Sequence, residues 1–347
     1  RERVRVRVKA ALATDMTKSK QKRGNPPAKF RYAFLPILTG SDLSRRRLPF
    51  MAAECLEPGP VVWLTACGHG DEVGGIVVIQ DIFKRLRKKE LRKGSVYAFP
   101  LMNPIGFETS SRNITLTKED LNRSFPGSAD GSLGERIAHK IFSTITQTEP
   151  TLVLDLHNDW VNSIPYTFVD PDPGADYHEV YEKTILYSKQ SGLLVIGETD
   201  VMQKALSQSL LKENIPALTL EFGESYVVNE ANIEYGVKSI WNILSYLEMV
   251  EPLSESFDFT LLENYKGSVL TYSDAPFSST SGIIRFLVRP GDLVKKGQPI
   301  ARIYNAFGRL QETLAASNDS IVLGHADSSV AFPGMRAMAF GVPQSNQ

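Results

Sequence analysis

The chain has 347 residues, of which 42% are apolar and 22% charged, and its formal net charge is zero. That length allows one large core or two modest ones, while the charge balance excludes a global field drawing it to nucleic acid or an anionic membrane. No apolar run approaches the roughly 20 residues that a bilayer crossing needs, so no membrane partner is expected.

The opening segment, residues 1–30, is basic and poor in bulky apolar residues after its first third, and RVRVRVK alternates with period two as a strand does. It reads as a solvated edge strand and linker rather than a nucleic-acid-binding arm. From about residue 60 the texture becomes β/α. PVVWLTAC is a short apolar strand, GGIVVIQDIFKRLRKKELRKG a helix turning basic towards its end, and SVYAFPLMN a second strand. GSLGERIAHKIFSTIT follows as a helix, TLVLDLH as a buried strand and DYHEVYEKTILYSKQSG as a helix. LLVIGET and IPALTLEFG are strands, and NEANIEYGVKSIWNILSYLEMV is a long amphipathic helix. The alternation predicts an α/β fold, a mixed and largely parallel sheet with helices on both faces, over residues 31–252. Beyond it, residues 253–347 show turn signals such as RPGD and KKGQ between short apolar runs, the texture of a smaller all-β domain.

Ligands of α/β sheets gather beyond the carboxyl ends of the strands. Three predicted strands end in acids or histidines: TACGHGDE, LDLHND and LTLEFGE. Cys55 and Cys67 are the only cysteines, too few for a disulfide framework or a cysteine-built zinc knuckle. They fit a reducing cytoplasm and leave any metal to histidines and carboxylates. His69, Glu72 and His157 would give zinc two imidazoles and one carboxylate, with a fourth position open for water. A carboxylate must then shuttle the water's proton, and Glu221 ends its strand where it could reach, with Glu224 in reserve. In the Gly/Pro/Ser-rich stretch between them, Arg112, Asn122 and Arg123 stand off any obvious helix face, and an arginine fork matches a carboxylate or an oxyanion.

GHGDE, DLNRSFPG, LDLHN and LEFGE, in this order, resemble the succinylglutamate desuccinylase/aspartoacylase family, a branch of the zinc-carboxypeptidase-like hydrolases. The similarity spans about residues 60 to 250. It implies one zinc per chain on His69, Glu72 and His157, with Glu221 as general base and acid. It implies that Arg112 polarises the scissile carbonyl, that Asn122 and Arg123 hold a substrate carboxylate or acyl group, and that Asp120 orients a metal-bound histidine. Members acting on small dicarboxylates tend to carry a further arginine before the catalytic glutamate; here the stretch has Lys204 and Lys212 instead.

The segment TSGIIRFLVRPGDLVKKGQPIARIYNAFG resembles biotinyl/lipoyl-like β-barrels without a carrier lysine tip, which suggests a lid or assembly element, and His325 is expected in a surface turn. Tyr265, Tyr272 and Tyr304 sit in no recognisable motif. The resulting expectation is a cytoplasmic zinc-dependent deacylase of a small acylated amino acid, a reading that allows a homo-oligomer. The alternatives are a metallocarboxypeptidase acting on a peptide or cell-wall fragment, or a metal-free scaffold with the same fold.

Overall fold

The computed structural model describes residues 28–40, 43–88, 91–259 and 265–344; the RVRVRVK segment, with the rest of the arm up to residue 27, lies outside them. The first strands are β1 (Lys29–Thr39), β2 (Arg45–Glu54), β3 (Val61–Ala66), β4 (Ser95–Phe99) and β5 (Leu152–His157). After them come β6 (Asn162–Ser163), β7 (Tyr166–Val169), β8 (Leu194–Gly197) and β9 (Ala217–Glu221). The α-helices are α1 (Gly74–Lys88), α2 (Pro104–Glu108), α3 (Leu133–Thr146), α4 (His178–Lys189), α5 (Leu206–Leu211) and α6 (Glu230–Tyr246).

These strands lie in the order β1-β2-β4-β3-β5-β9-β7-β8. β4, β3, β5 and β9 run parallel, whereas β7 is antiparallel to β9 and β1 and β2 form an antiparallel margin. The central strands read as continuous apolar runs because both of their faces are covered. On one face, Leu64, Leu154 and Leu218 pack beneath Ile79, Ile82 and Phe83 of α1 and Val237, Ile240 and Trp241 of α6. On the other, Trp63, Val153 and Ala217 meet Ile137 and Ile141 of α3 and Leu206 and Leu210 of α5. A Ser132–Glu135 capping box starts α3, each side chain bonding the other's backbone N–H.

The remaining strands are β10 (Val269–Ser273), β11 (Gly282–Phe286), β12 (Leu293–Val294), β13 (Pro299–Tyr304), β14 (Leu310–Ala315), β15 (Ser320–His325), β16 (Val330–Ala331) and β17 (Met338–Val342). β10 pairs parallel with β8, so the large sheet continues through β17 and β15 to β12, while β14-β13-β11-β16 form a separate sheet. Ile284, Ile300 and Ile303 of the small sheet share a core with Val322, Met338 and Phe340 of the large one. β6 pairs with β15, which seats the C-terminal strands against the segment following β5. His325 is not in a turn. It ends β15, half-buried, with its ring stacked 4.1 Å from that of Phe286. Among the described residues no helix is long and apolar enough to cross a membrane.

Candidate active site

The site grows from the carboxyl ends of β3, β5 and β9. β3 stops at Ala66, and Cys67 turns the chain with φ of 54°. Gly70 then passes so close to α2 that a Cβ there would lie 2.0 Å from the Gly106 carbonyl carbon. Only glycine permits that approach. The turn brings His69 and Glu72 into hydrogen-bonding reach, and α1 begins two residues later. β5 delivers His157, whose register partner on β9 is Glu221.

Glu72 stands between the two imidazoles. Its Oε1 is 2.6 Å from Nδ1 of His69 and its Oε2 is 2.7 Å from Nδ1 of His157, and all three residues are 3% exposed. Each remote nitrogen faces another carboxylate. Nε2 of His157 is 2.9 Å from Asp155 Oδ2, and Nε2 of His69 is 3.2 Å from Asp120 Oδ1. Asp155 is itself held by the Thr65 hydroxyl, which donates to Oδ1 at 2.7 Å. The outer carboxylates fix both rings with Nδ1 turned inward. One donor atom from each of His69, Glu72 and His157 lies within 4.8 Å of the others. Two imidazoles and a carboxylate, convergent and buried, fit a divalent cation with one position left open.

The electrostatics match that geometry. Burial opposes charge on both histidines, yet Glu72 and Asp120 raise His69, and Asp155 and Glu72 raise His157 well above the ordinary imidazole value. Burial also opposes ionisation of Glu72, but the two histidines hold it far below the usual carboxylate range. Glu221 goes the other way. Burial chiefly, with Asp159 and Glu72 adding, pushes it well up, against His157 and Arg112, and its Oε2 is buried without a hydrogen-bond partner.

Arg112 is exposed, with Nη1 3.6 Å from Glu72 Oε1 and Nη2 3.4 Å from Asp120 Oδ2. Asn122 and Arg123 lie in a short 3-10 turn started by Asp120, whose Oδ1 accepts the Asn122 N–H at 2.8 Å. The Asn122 side-chain carbonyl accepts the Leu206 N–H at 3.0 Å and so anchors the start of α5. Arg123 donates to the Asn122 carbonyl oxygen and touches the Met202 sulfur. The structure thus gathers His69, Glu72, His157, Glu221, Arg112 and Asp120 around one point and sets Asn122 and Arg123 at its edge. Glu224 instead accepts from the Asn229 amide, which caps α6.

Sequence reading passed over Asp155 and Asn158. Asn158 is the knot of the site: its N–H donates to Glu72 Oε2, its Oδ1 accepts the Gly74 N–H, and its Nδ2 donates to the carbonyl of Gly223. It ties the turn after β3 to the exit of β9. Asp155 was visible as the same-face neighbour of His157 two positions away. Asn158 carried no signal beyond standing next to a histidine.

The family model for the succinylglutamate desuccinylase/aspartoacylase catalytic domain matches residues 58–247. The chain belongs to this family. A curated relative, the N-alpha-acetyl-L-2,4-diaminobutyric acid deacetylase of Halomonas elongata, is 27% identical over 258 residues, covering 71% of each chain. Among solved structures, an aspartoacylase family protein from Mesorhizobium loti superposes with a TM-score of 0.73 at 22% identity, covering 92% of this chain and 96% of that one. The product-bound ectoine utilization protein EutE (DoeB) of Ruegeria pomeroyi gives 0.74 at 20% identity, covering 93% and 100%. These superpositions extend through the C-terminal β strands, beyond the stretch the family model spans. The donor set of the site is consistent with a metal, and the family is one of deacylases acting on N-acyl amino acids.

Proposed function

We propose that this member is a zinc-dependent deacylase that hydrolyses the amide of a small N-acylated amino acid, an N-acetylated diamino acid being the nearest guide from its relatives. The observation that carries the reading is the trio His69, Glu72 and His157, each imidazole braced by an outer carboxylate, with Glu221 ending the adjacent strand. Zinc held by these three residues would lower the pKa of a water towards neutrality and polarise the amide carbonyl.

The chain's own groups supply the rest. Glu221, whose pKa burial raises and whose Oε2 no protein group satisfies, takes the proton of the attacking water and passes it to the leaving amine. Arg112 offers its N–H groups to the oxyanion as charge develops. Arg123 uses one N–H on a carbonyl and another on a thioether, and its remaining N–H groups are left for the substrate carboxylate.

Metal content by mass spectrometry, on protein purified without added metal, tests the proposal together with turnover of N-acyl amino acids. Wild type and Glu221→Gln should each hold near one zinc per chain, and His157→Ala should lose it. Glu221→Gln should lower kcat by roughly two to four orders of magnitude. A wild-type protein that takes up no metal at neutral pH would end the hydrolase reading in favour of a scaffold.

A further inference from the structure

Asp170 is a buried carboxylate that the chemistry above leaves unused. It is 3% exposed, and its Oδ1 has no hydrogen-bond partner. The sheet register sets it on the active-site face. β5 pairs Asp155 with Thr219 and His157 with Glu221, while β7 pairs Phe168 with Thr219 and Tyr166 with Glu221. Paired residues share a face and side chains alternate along a strand. Tyr166, Phe168 and then Asp170 therefore follow one another on the face that carries Asp155, His157 and Glu221, with Asp170 past Phe168 in the direction of the start of β9, because β7 runs antiparallel to it. β8 brings Glu198 alongside, since Phe168 pairs with Ile196 and the Glu198 N–H donates to the Val169 carbonyl. The first turn of α5 closes over the carboxyl with the Ser207 hydroxyl. That turn is tethered through Leu206 to Asn122, the neighbour of Arg123.

A carboxylate in this setting lacks what it needs. Burial chiefly pushes its pKa up to about 6; Ser207 works against the rise, Glu198 and Asp155 add to it, and Arg123 pulls the other way. An unpaired buried anion among acids is costly, and a donor carrying positive charge answers it best. A second carboxylate arriving here would be repelled by three acids. An alkylammonium group would meet an unpartnered oxygen, a second carboxylate on Glu198, and a hydroxyl.

We propose that Asp170, with Glu198 beside it, forms a subsite for the free side-chain amine of an N-acylated diamino acid, whose carboxylate lies towards Arg123. This rests on the deacylase reading and names the residues that would recognise the second amine of its substrate. The basis is the buried Asp170 Oδ1 and its placement on the sheet face that carries His157 and Glu221.

The test compares Nα-acetyl-2,4-diaminobutyrate with N-acetyl-2-aminobutyrate, the same skeleton without the amine, on the zinc-loaded enzyme. Wild type should favour the amine by about 10- to 100-fold in kcat/KM, the worth of a hydrogen-bonded charge. Asp170→Asn should bring that ratio close to one, chiefly through KM for the amine substrate. A merely structural Asp170 would lower both substrates in parallel and leave the ratio intact, which overturns the subsite. Equal treatment of the two compounds by wild type overturns it too, and would leave Arg123 as the partner of Asp170. Should neither amide be cleaved, the deacylase reading falls. Calorimetry of the free amino acids then decides the subsite alone: tighter binding of 2,4-diaminobutyrate than of 2-aminobutyrate, lost in Asp170→Asn, supports it, and equal binding ends it.

Discussion

An imidazole can present either nitrogen to a ligand, and the choice belongs to whatever holds the other one. Asp155 makes that choice for His157 and Asp120 for His69. Asp155→Asn would keep the shape of the strand while removing the charge that directs the ring. Metal affinity should fall by about 10- to 100-fold, measured by competition with a chelator; an unchanged affinity would show that His157 orients itself. Asp170 makes a second prediction at this scale. Its carboxyl has a value near 3.9 in an unfolded chain and about 6 in the fold, so the folded state favours its protonated form. That contribution is intact below about pH 4 and lost as pH rises through about 6. Asp170→Asn carries no such penalty. Relative to wild type it should gain up to about 3 kcal/mol in urea unfolding between pH 4 and pH 7, and a pH-independent difference would mean that the ionised carboxyl is already satisfied. The convergence of His69, His157 and Glu221 was legible in sequence, since each follows an apolar run. Asp170 was not, because it merely follows a short strand and becomes unusual only when its burial is known.

At the scale of elements, the distances across the site are set by how closely α1 approaches β3 and β5. Gly75 makes the contact: a Cβ there would lie 2.9 Å from the Cβ atoms of both Ala66 and Leu156. Gly75→Ala should therefore push the start of α1 off the sheet at a cost of about 1–3 kcal/mol, read from the urea midpoint. Because Glu72 lies just before this helix and His157 just after Leu156, the same variant should bind metal more weakly; normal stability and affinity would show that the helix shifts freely. The central strands and long helices were legible from their apolar patterning. The margin was less so. β1 and β2 precede residue 60, where the β/α alternation begins, and their pairing is broken by a register shift at Pro36, a residue that cannot donate to a ladder. The helix read through residue 94 is over by Leu91, which turns back into the core, and Gly94, with φ of 73°, leads into β4.

For the whole molecule, the change of texture near residue 257 is real in composition, but the sheet runs across it. β10 continues β8, and β6 reaches out to β15, with the Asp327 carboxylate accepting the Val161 N–H four residues past His157. Pattern reading detects how strands alternate, not which sheet they join, so this continuity could come only from three dimensions. Its consequence is mechanical. The donors proposed for the metal come from β5 and the turn after β3, in the interior of one sheet whose far edge belongs to the C-terminal strands. A ligand gripping that centre should stabilise the chain as one unit. With free zinc at a thousandfold excess over Kd, the folded state gains about 4 kcal/mol, and a protein of this size should melt roughly 5–6 °C higher. The rise should come as a single transition seen alike by far-ultraviolet circular dichroism and by tryptophan fluorescence, and it should be absent in His157→Ala. Two transitions, only one of them moved by zinc, would show instead that the C-terminal strands unfold on their own and that the continuous sheet does not couple them to the site.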